Sequence, residues 1–181
     1  GEYVRYTLIT TGTKNRGRPS DGPDGEYLTD RLTDEAMEFI EASKDEPFLL
    51  YQSYYTVHGP YQGKKDLIRR YEEKLKDVPA EERASYEMEG EYTKMLTVQD
   101  HEVYAAMIQS LDESVGRIIQ KIDDIGMADD TIIIFFSDNG GVASDFGRAE
   151  IERAKATSNL PLRGGKGWLY EGGIREPFIV K

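Results

Sequence analysis

The chain has 181 residues, enough for one domain with a real core, of which 38% are hydrophobic and 31% charged. Acidic side chains outnumber basic ones 34 to 23, for a formal net charge of −11, which argues against a nucleic-acid backbone as partner. There is no cysteine, so disulfides and thiolate chemistry are excluded within the stretch, and no apolar run reaches the about 18 residues of a membrane-spanning helix.

Residues 3–10 read as a short strand, with Tyr3, Val4, Tyr6, Leu8 and Ile9 among threonines. Residues 12–26 are rich in glycine, proline and charge, and predict a loop. Thr33 is placed to cap a helix running to about Ser43, with Asp34 and Glu35 in its first turn and Leu32 just outside it. Ala36, Phe39 and Ile40 supply the apolar stripe. After Pro47, Phe48–Ser53 reads as a second buried strand, and Tyr54–Pro60 as the loop that follows it.

Residues 64–96 are charge-rich and weakly periodic, within a variable surface excursion over 64–100. They predict helical pieces broken near Pro79 and Gly90, a solvated excursion over the surface. The clearest helix is Glu102–Asp124, where Val103, Met107, Leu111, Val115, Ile118 and Ile122 recur at three and four. His101 precedes it and reads as structural. Gly126 ends it, and Thr131–Phe136 follows as a strand apolar on both faces. This order predicts an α/β fold, with a mostly parallel central sheet, helices on both faces and a right-handed crossover through the 102–124 helix. Phe178–Val180 opens a further strand as the sequence stops, so the 181 residues are expected to be an interior or trimmed part of a domain, the fold incomplete.

Four side chains carry candidate chemistry. Asp138 and Asn139 follow the 131–136 strand, at the end where open α/β sheets place ligand groups. A carboxylate beside an amide oxygen suits a hard cation such as Ca²⁺ or Mg²⁺, and a turn equally favours Asp-Asn-Gly. His58 lies in a loop between Val57 and Gly59-Pro60, where a fixed imidazole protonates a leaving group or serves as a structural loop residue. Lys166 stands among Gly164, Gly165 and Gly167, an arrangement for a tetrahedral oxyanion or for a solvated loop lysine. It is no Walker loop, because the spacing differs and no Ser or Thr follows. Glu171 and Arg175 are expected to brace this loop, with Gly172 and Gly173 arguing against a helix between them. Jointly these residues suit hydrolysis of a sulfate or phosphate ester.

Phe48-Leu-Leu-Tyr with His58-Gly-Pro60, Tyr104–Gly116, Ser137-Asp-Asn-Gly-Gly141, and Leu162–Gly167 with Glu171–Pro177 stand in an order and spacing that resembles the sulfatase family. The resemblance runs from about Gly25 to the end and is weakest at 64–100. It implies a partial sulfatase catalytic domain over 1–181, of alkaline-phosphatase-like α/β fold. It implies bound calcium with Asp138 and Asn139 as two ligands, Lys166 on the sulfate and bridging oxygen, and His58 near the leaving alcohol. The family's nucleophile is a formylglycine made from cysteine or serine. Its Cys-x-Pro-Ser-Arg motif is missing here, as are the early aspartate pair and the Gly-Lys-Trp-His-type segment, all of which precede the matched part. Gly17-Arg-Pro19-Ser20-Asp21 is a chance likeness in the wrong region. The stretch alone is therefore expected to be inactive and to hold calcium weakly.

The implied substrate is a sulfated small molecule or sulfated glycan, and Tyr54, Tyr55, Tyr61 and Trp168 either line its site or pack internally. The implied compartment is periplasmic, secreted or lysosomal-type. A phosphodiesterase or phosphonate-ester hydrolase of the same superfamily and a noncatalytic homologue are the alternatives.

Overall fold

The first stretch folds as strand, helix, strand in the computed structural model, which describes residues 5–9, 25–83, 85–144 and 155–181. β1 (Arg5–Ile9) and β2 (Phe48–Gln52) pair in parallel, Arg5 beside Phe48 and Ile9 beside Gln52. Parallel neighbours need a long connection, and it carries α1 (Leu28–Ser43). Residues 12–24 of the predicted loop, Gly17–Asp21 among them, lie outside the described residues.

The helix begins earlier than a cap at Thr33 predicts. Tyr27 is the N-cap, without a side-chain capping bond, and Thr33 is buried inside the helix. Its hydroxyl donates to the Thr29 carbonyl one turn back (2.7 Å) and lies 2.9 Å from the Tyr54 hydroxyl. A threonine that bonds the i−4 carbonyl satisfies its oxygen without ending the helix. Leu32, predicted outside, is buried with Ala36 and Ile40 along one face. Leu50, Tyr54 and Ile118 pack against Leu32 and Ala36, and Phe39 meets Phe48 edge-on at 5.7 Å.

The chain divides into two compact units, Gly1–Lys64 with Met107–Thr131, and Lys65–Ala106 with Ile132–Lys181. α3 (Glu102–Asp124) has the predicted bounds. Its first free N–H groups are met in part by His101, whose Nδ1 accepts from Tyr104 N–H at 3.3 Å. The buried seam of α3 is not the predicted aliphatic stripe alone. Ala106, Ser110 and Ser114 are buried with Met107 and Ile122, whereas Leu111, Val115 and Ile118 are only half-buried. Small side chains let neighbours approach the helix closely, which apolar periodicity does not register. In the first unit, Arg117 pairs with Asp34 and Lys121 with Glu41, tying α3 to α1.

In the second unit, α2 (Lys65–Leu75) is helical as predicted, but the rest of 64–100 is not. Tyr86–Glu89 (β3) and Thr93–Leu96 (β4) form an antiparallel hairpin, turned at Gly90 with φ +69°. Met95 and Leu96 are buried, and Leu96 N–H donates to the Ala143 carbonyl at 2.7 Å, so the end of β4 is packed while β3, with Tyr86 and Met88, stays exposed at the surface. The mixed polar content of 86–96 hides the strand period from a sequence reading.

The predicted 131–136 strand is shorter. β5 (Ile134–Phe136) pairs with β6 (Phe178–Val180), and the pairing is antiparallel, Ile134 beside Val180. The face carrying Ile132, Ile134 and Phe136 is exposed, Ile132 at 79%, with Phe178 meeting Phe136 at 6.3 Å between ring centres. A strand's apolar content records the burial it requires, not which partner strand meets its edge.

Candidate functional site

The second unit brings two loops together through main-chain contacts. Ser137–Gly141 leaves β5, and Leu162–Gly167 carries the lysine. Lys166 N–H donates to the Gly141 carbonyl at 3.0 Å, and Gly140 N–H donates to the Gly173 carbonyl at 3.2 Å. Approach this close requires glycine. A Cβ on Gly140 would stand 1.8 Å from the Gly172 carbonyl oxygen. Around the lysine, Gly164 and Gly167 adopt φ of +80° and +87°, backbone that L side chains rarely enter. The geometry presents the half-buried Lys166 from a turn whose backbone is anchored on the Asp138–Asn139 loop.

Asp138 is exposed and Asn139 half-buried. Asn139 Nδ2 donates to Asp138 Oδ1 at 2.8 Å, which leaves the Asn139 amide oxygen and the second Asp138 oxygen for a cation. Close by, Glu176 carries a carboxyl oxygen shut from solvent with no hydrogen-bond partner among the described residues. Burial first, and then the Asp138 carboxylate, push the Glu176 carboxyl above its ordinary range. A hard divalent cation would relieve that repulsion, so the donor set fits one. Asp138 and Asn139 fill only part of a calcium shell of about six to eight oxygens. Among the described residues no group of three or more His, Asp or Glu side chains is gathered to hold a metal.

The bracing residues behave differently from their prediction in one respect. Glu171–Ile174 forms a single helical turn, α4, despite its two glycines. Gly172 N–H donates to the Arg163 carbonyl at 2.8 Å, and Arg175 N–H to that of Glu171, also at 2.8 Å. These bonds and the close packing of Gly172 against the Arg163 and Gly164 carbonyls hold the turn where propensity alone would not. Arg175 pairs with Glu171 at 3.3 Å on the exposed side. Arg163 pairs with Glu89 of β3 and stacks 3.9 Å from the Tyr170 ring centre. An open cleft of about 290 Å³ lies there, lined by Glu87, Met88, Glu89, Leu160, Leu162 and Arg163 among others.

His58 belongs to the first unit, Asp138, Asn139 and Lys166 to the second. The His58 backbone N–H donates to the Tyr55 carbonyl at 2.8 Å. Its ring Nδ1 lies 2.7 Å from the Gly59 carbonyl. A carbonyl only accepts, so Nδ1 carries the proton and Nε2 is the atom left for chemistry. Of the aromatic candidates, Tyr54 is a packing residue and burial raises its phenol. Burial likewise raises that of Tyr61, while Tyr55 is exposed. Trp168 stacks on Tyr170 at 5.9 Å, and its Nε1 donates to Ser144 Oγ at 3.3 Å.

Residues 2–181 match the family model described as Sulfatase. The chain belongs to the sulfatase family. It is 32% identical over 165 residues to a sulfatase of Formosa agariphila, covering 86% of this chain and 25% of that protein. It is 32% identical over 155 residues to the steryl-sulfatase of Homo sapiens, covering 85% and 21%. Among solved structures it resembles Ps i-CgsB in complex with k-i-k-neocarrahexaose, with a TM-score of 0.61 and 29% identity over 86% of this chain and 28% of that one. The chain thus spans a quarter or less of these curated relatives. Its α/β fold is a part of the alkaline-phosphatase-like fold of sulfatases.

One residue at the junction of these two loops escaped the sequence reading. Asn159, in a loop between the two glycine-bearing segments, bonds to both of them. Its only sequence cue is an Asn near a proline, which any turn would also explain.

Proposed function

We propose that the whole protein hydrolyses sulfate esters, with Lys166, His58, Asp138 and Asn139 forming part of its active site. Family membership supports this reading, and one observation carries it into this chain. The loop with two adjacent oxygen ligands and the loop with the lysine are joined backbone to backbone, through Lys166 N–H and the Gly141 carbonyl.

Asp138 and Asn139 would hold a calcium ion through their side-chain oxygens. When bound, the cation supplies charge stabilisation for the oxygens of the sulfate group. The Lys166 ammonium donates to a sulfate oxygen and to the bridging oxygen as negative charge builds there. His58, with Nδ1–H fixed on the Gly59 carbonyl, would protonate the leaving alcohol from Nε2 in its imidazolium form, in which both ring nitrogens carry a proton, and is left as the neutral Nδ1–H imidazole. The nucleophile, the formylglycine of the family, is assigned to a segment outside residues 1–181. The substrate class is a sulfated small molecule or sulfated glycan. The relatives named for steryl sulfate and the neighbour complexed with a neocarrahexaose support both branches of that class.

Sulfate release from an aryl sulfate ester by the whole protein tests the proposal. Lys166→Ala and Asp138→Ala should each lower kcat/KM by about 10²-fold or more, the scale of losing one charge-stabilising donor. Chelation should lower wild-type activity and leave Asp138→Ala little changed. Full activity in Lys166→Ala would refute the assignment.

A further inference from the structure

We infer that Asn159 is a positioning residue that sets the distance between the Asp138–Asn139 loop and Lys166. Its single carboxamide makes three hydrogen bonds. Oδ1 accepts from Gly141 N–H at 3.0 Å, while Nδ2 donates to the Gly141 carbonyl at 3.0 Å and to the Gly164 carbonyl at 3.2 Å. Both main-chain groups of Gly141 are thereby held by one side chain, as a neighbouring strand would hold them. Gly141 lies two residues beyond Asn139, and Gly164 two residues before Lys166.

The chemistry of the position is restrictive. Only a carboxamide sets an acceptor beside two donors in one plane. Aspartate keeps the acceptor and loses both donors, and an aliphatic side chain leaves Gly141 N–H and the Gly164 carbonyl to find other partners, while the Gly141 carbonyl keeps Lys166 N–H. The neighbouring glycines leave room for the amide. A Cβ at Gly165 would come within 2.7 Å of Asn159 Nδ2, and one at Gly141 within 3.1 Å of Oδ1. Asn159 is itself anchored. Its carbonyl accepts from Leu162 N–H at 2.9 Å, and the preceding Ser158 carbonyl accepts from Gln99 Nε2 at 2.9 Å. The Gly141 carbonyl receives both Nδ2 and Lys166 N–H, so amide and lysine loop dock on one atom.

The kinetic consequence rests on the sulfatase reading; the clamp itself rests on geometry alone. The test uses the whole protein with Asn159→Asp, which keeps side-chain volume, and Asn159→Ala, with two readouts. First, kcat for an aryl sulfate should fall by about 10- to 100-fold, the cost of misplacing reacting groups by about 1 Å. KM should move by less than about threefold, because the loss falls on transition-state contacts. A purely structural role would lower the melting temperature and leave kcat per folded enzyme unchanged at temperatures well below it. Second, hydrogen exchange at the Gly141 amide should accelerate in Asn159→Ala. Unchanged kcat in both variants of an active wild type overturns the positioning role. If the wild type releases no sulfate, the sulfatase reading fails by itself, and an unchanged exchange rate at Gly141 still overturns the clamp.

Discussion

Replacing Gly140 with alanine tests the backbone lock directly. The added Cβ would lie 1.8 Å from the Gly172 carbonyl oxygen, 2.9 Å from its carbon and 3.1 Å from Gly173 Cα, whereas real Cβ contacts stay beyond 3.0 Å. The two main chains must therefore part by about 1.2 Å, a displacement no rotamer change absorbs. The same movement lengthens the bond from Gly140 N–H to the Gly173 carbonyl, already 3.2 Å. Overpacking costs about 1–3 kcal/mol and the lost bond about 1 kcal/mol, for a total of about 2–4 kcal/mol. At about 2–4 °C per kcal/mol for a chain of this length, the melting temperature should fall by roughly 5–15 °C, followed by far-ultraviolet circular dichroism. Gly116→Ala is the matched control. Gly116 is exposed within α3, and a Cβ there meets nothing within 4 Å, so the change should stabilise by about 0.5–1 kcal/mol. Equal melting temperatures for Gly140→Ala and the parent would refute the argument from close approach.

Two further outcomes bear on the first unit. Ile40 is fully buried in α1, and Ile40→Ala should cost about 2–5 kcal/mol, with an unchanged thermal melt counting against the packing described for α1. Glu41 accepts first from Lys121 and then from Lys44, and these bonds hold its carboxyl down at about 2, from an ordinary 4.5. Because the folded value is the lower one, this contribution is present above about pH 4.5 and is lost as pH falls towards 2. Melting curves of Glu41→Gln across that window should show a shallower acid dependence than the parent, and identical slopes would remove the pair from the account.

The helices were largely legible in the sequence, because burial of one face repeats at three and four. α3 has the bounds its apolar period predicts, yet the most buried positions, Ala106, Ser110 and Ser114, were invisible to a search for large apolar side chains. Thr33 misled because a hydroxyl serves equally as a cap and as an i−4 donor, and only tertiary packing decides. The hairpin at 86–96 was hidden by its charges, and the β5 partner by the fact that composition carries no pairing information. Asp138, Asn139, His58 and Lys166 stood out as candidates through residue type and flanking glycines. Asn159 did not, since its role arises from three contacts, two of them with a residue 18 positions away.

The contact of Gly140 with Gly172 has a genetic corollary. Both sides of it are peptide groups, which no codon change can trim. A bulky side chain in an ordinary core is often rescued by shrinking its neighbour. Here that route is closed, and second-site suppressors of a methyl gained at 140 should be absent from residues 171–174 and arise, where they arise at all, from distant gains in general stability.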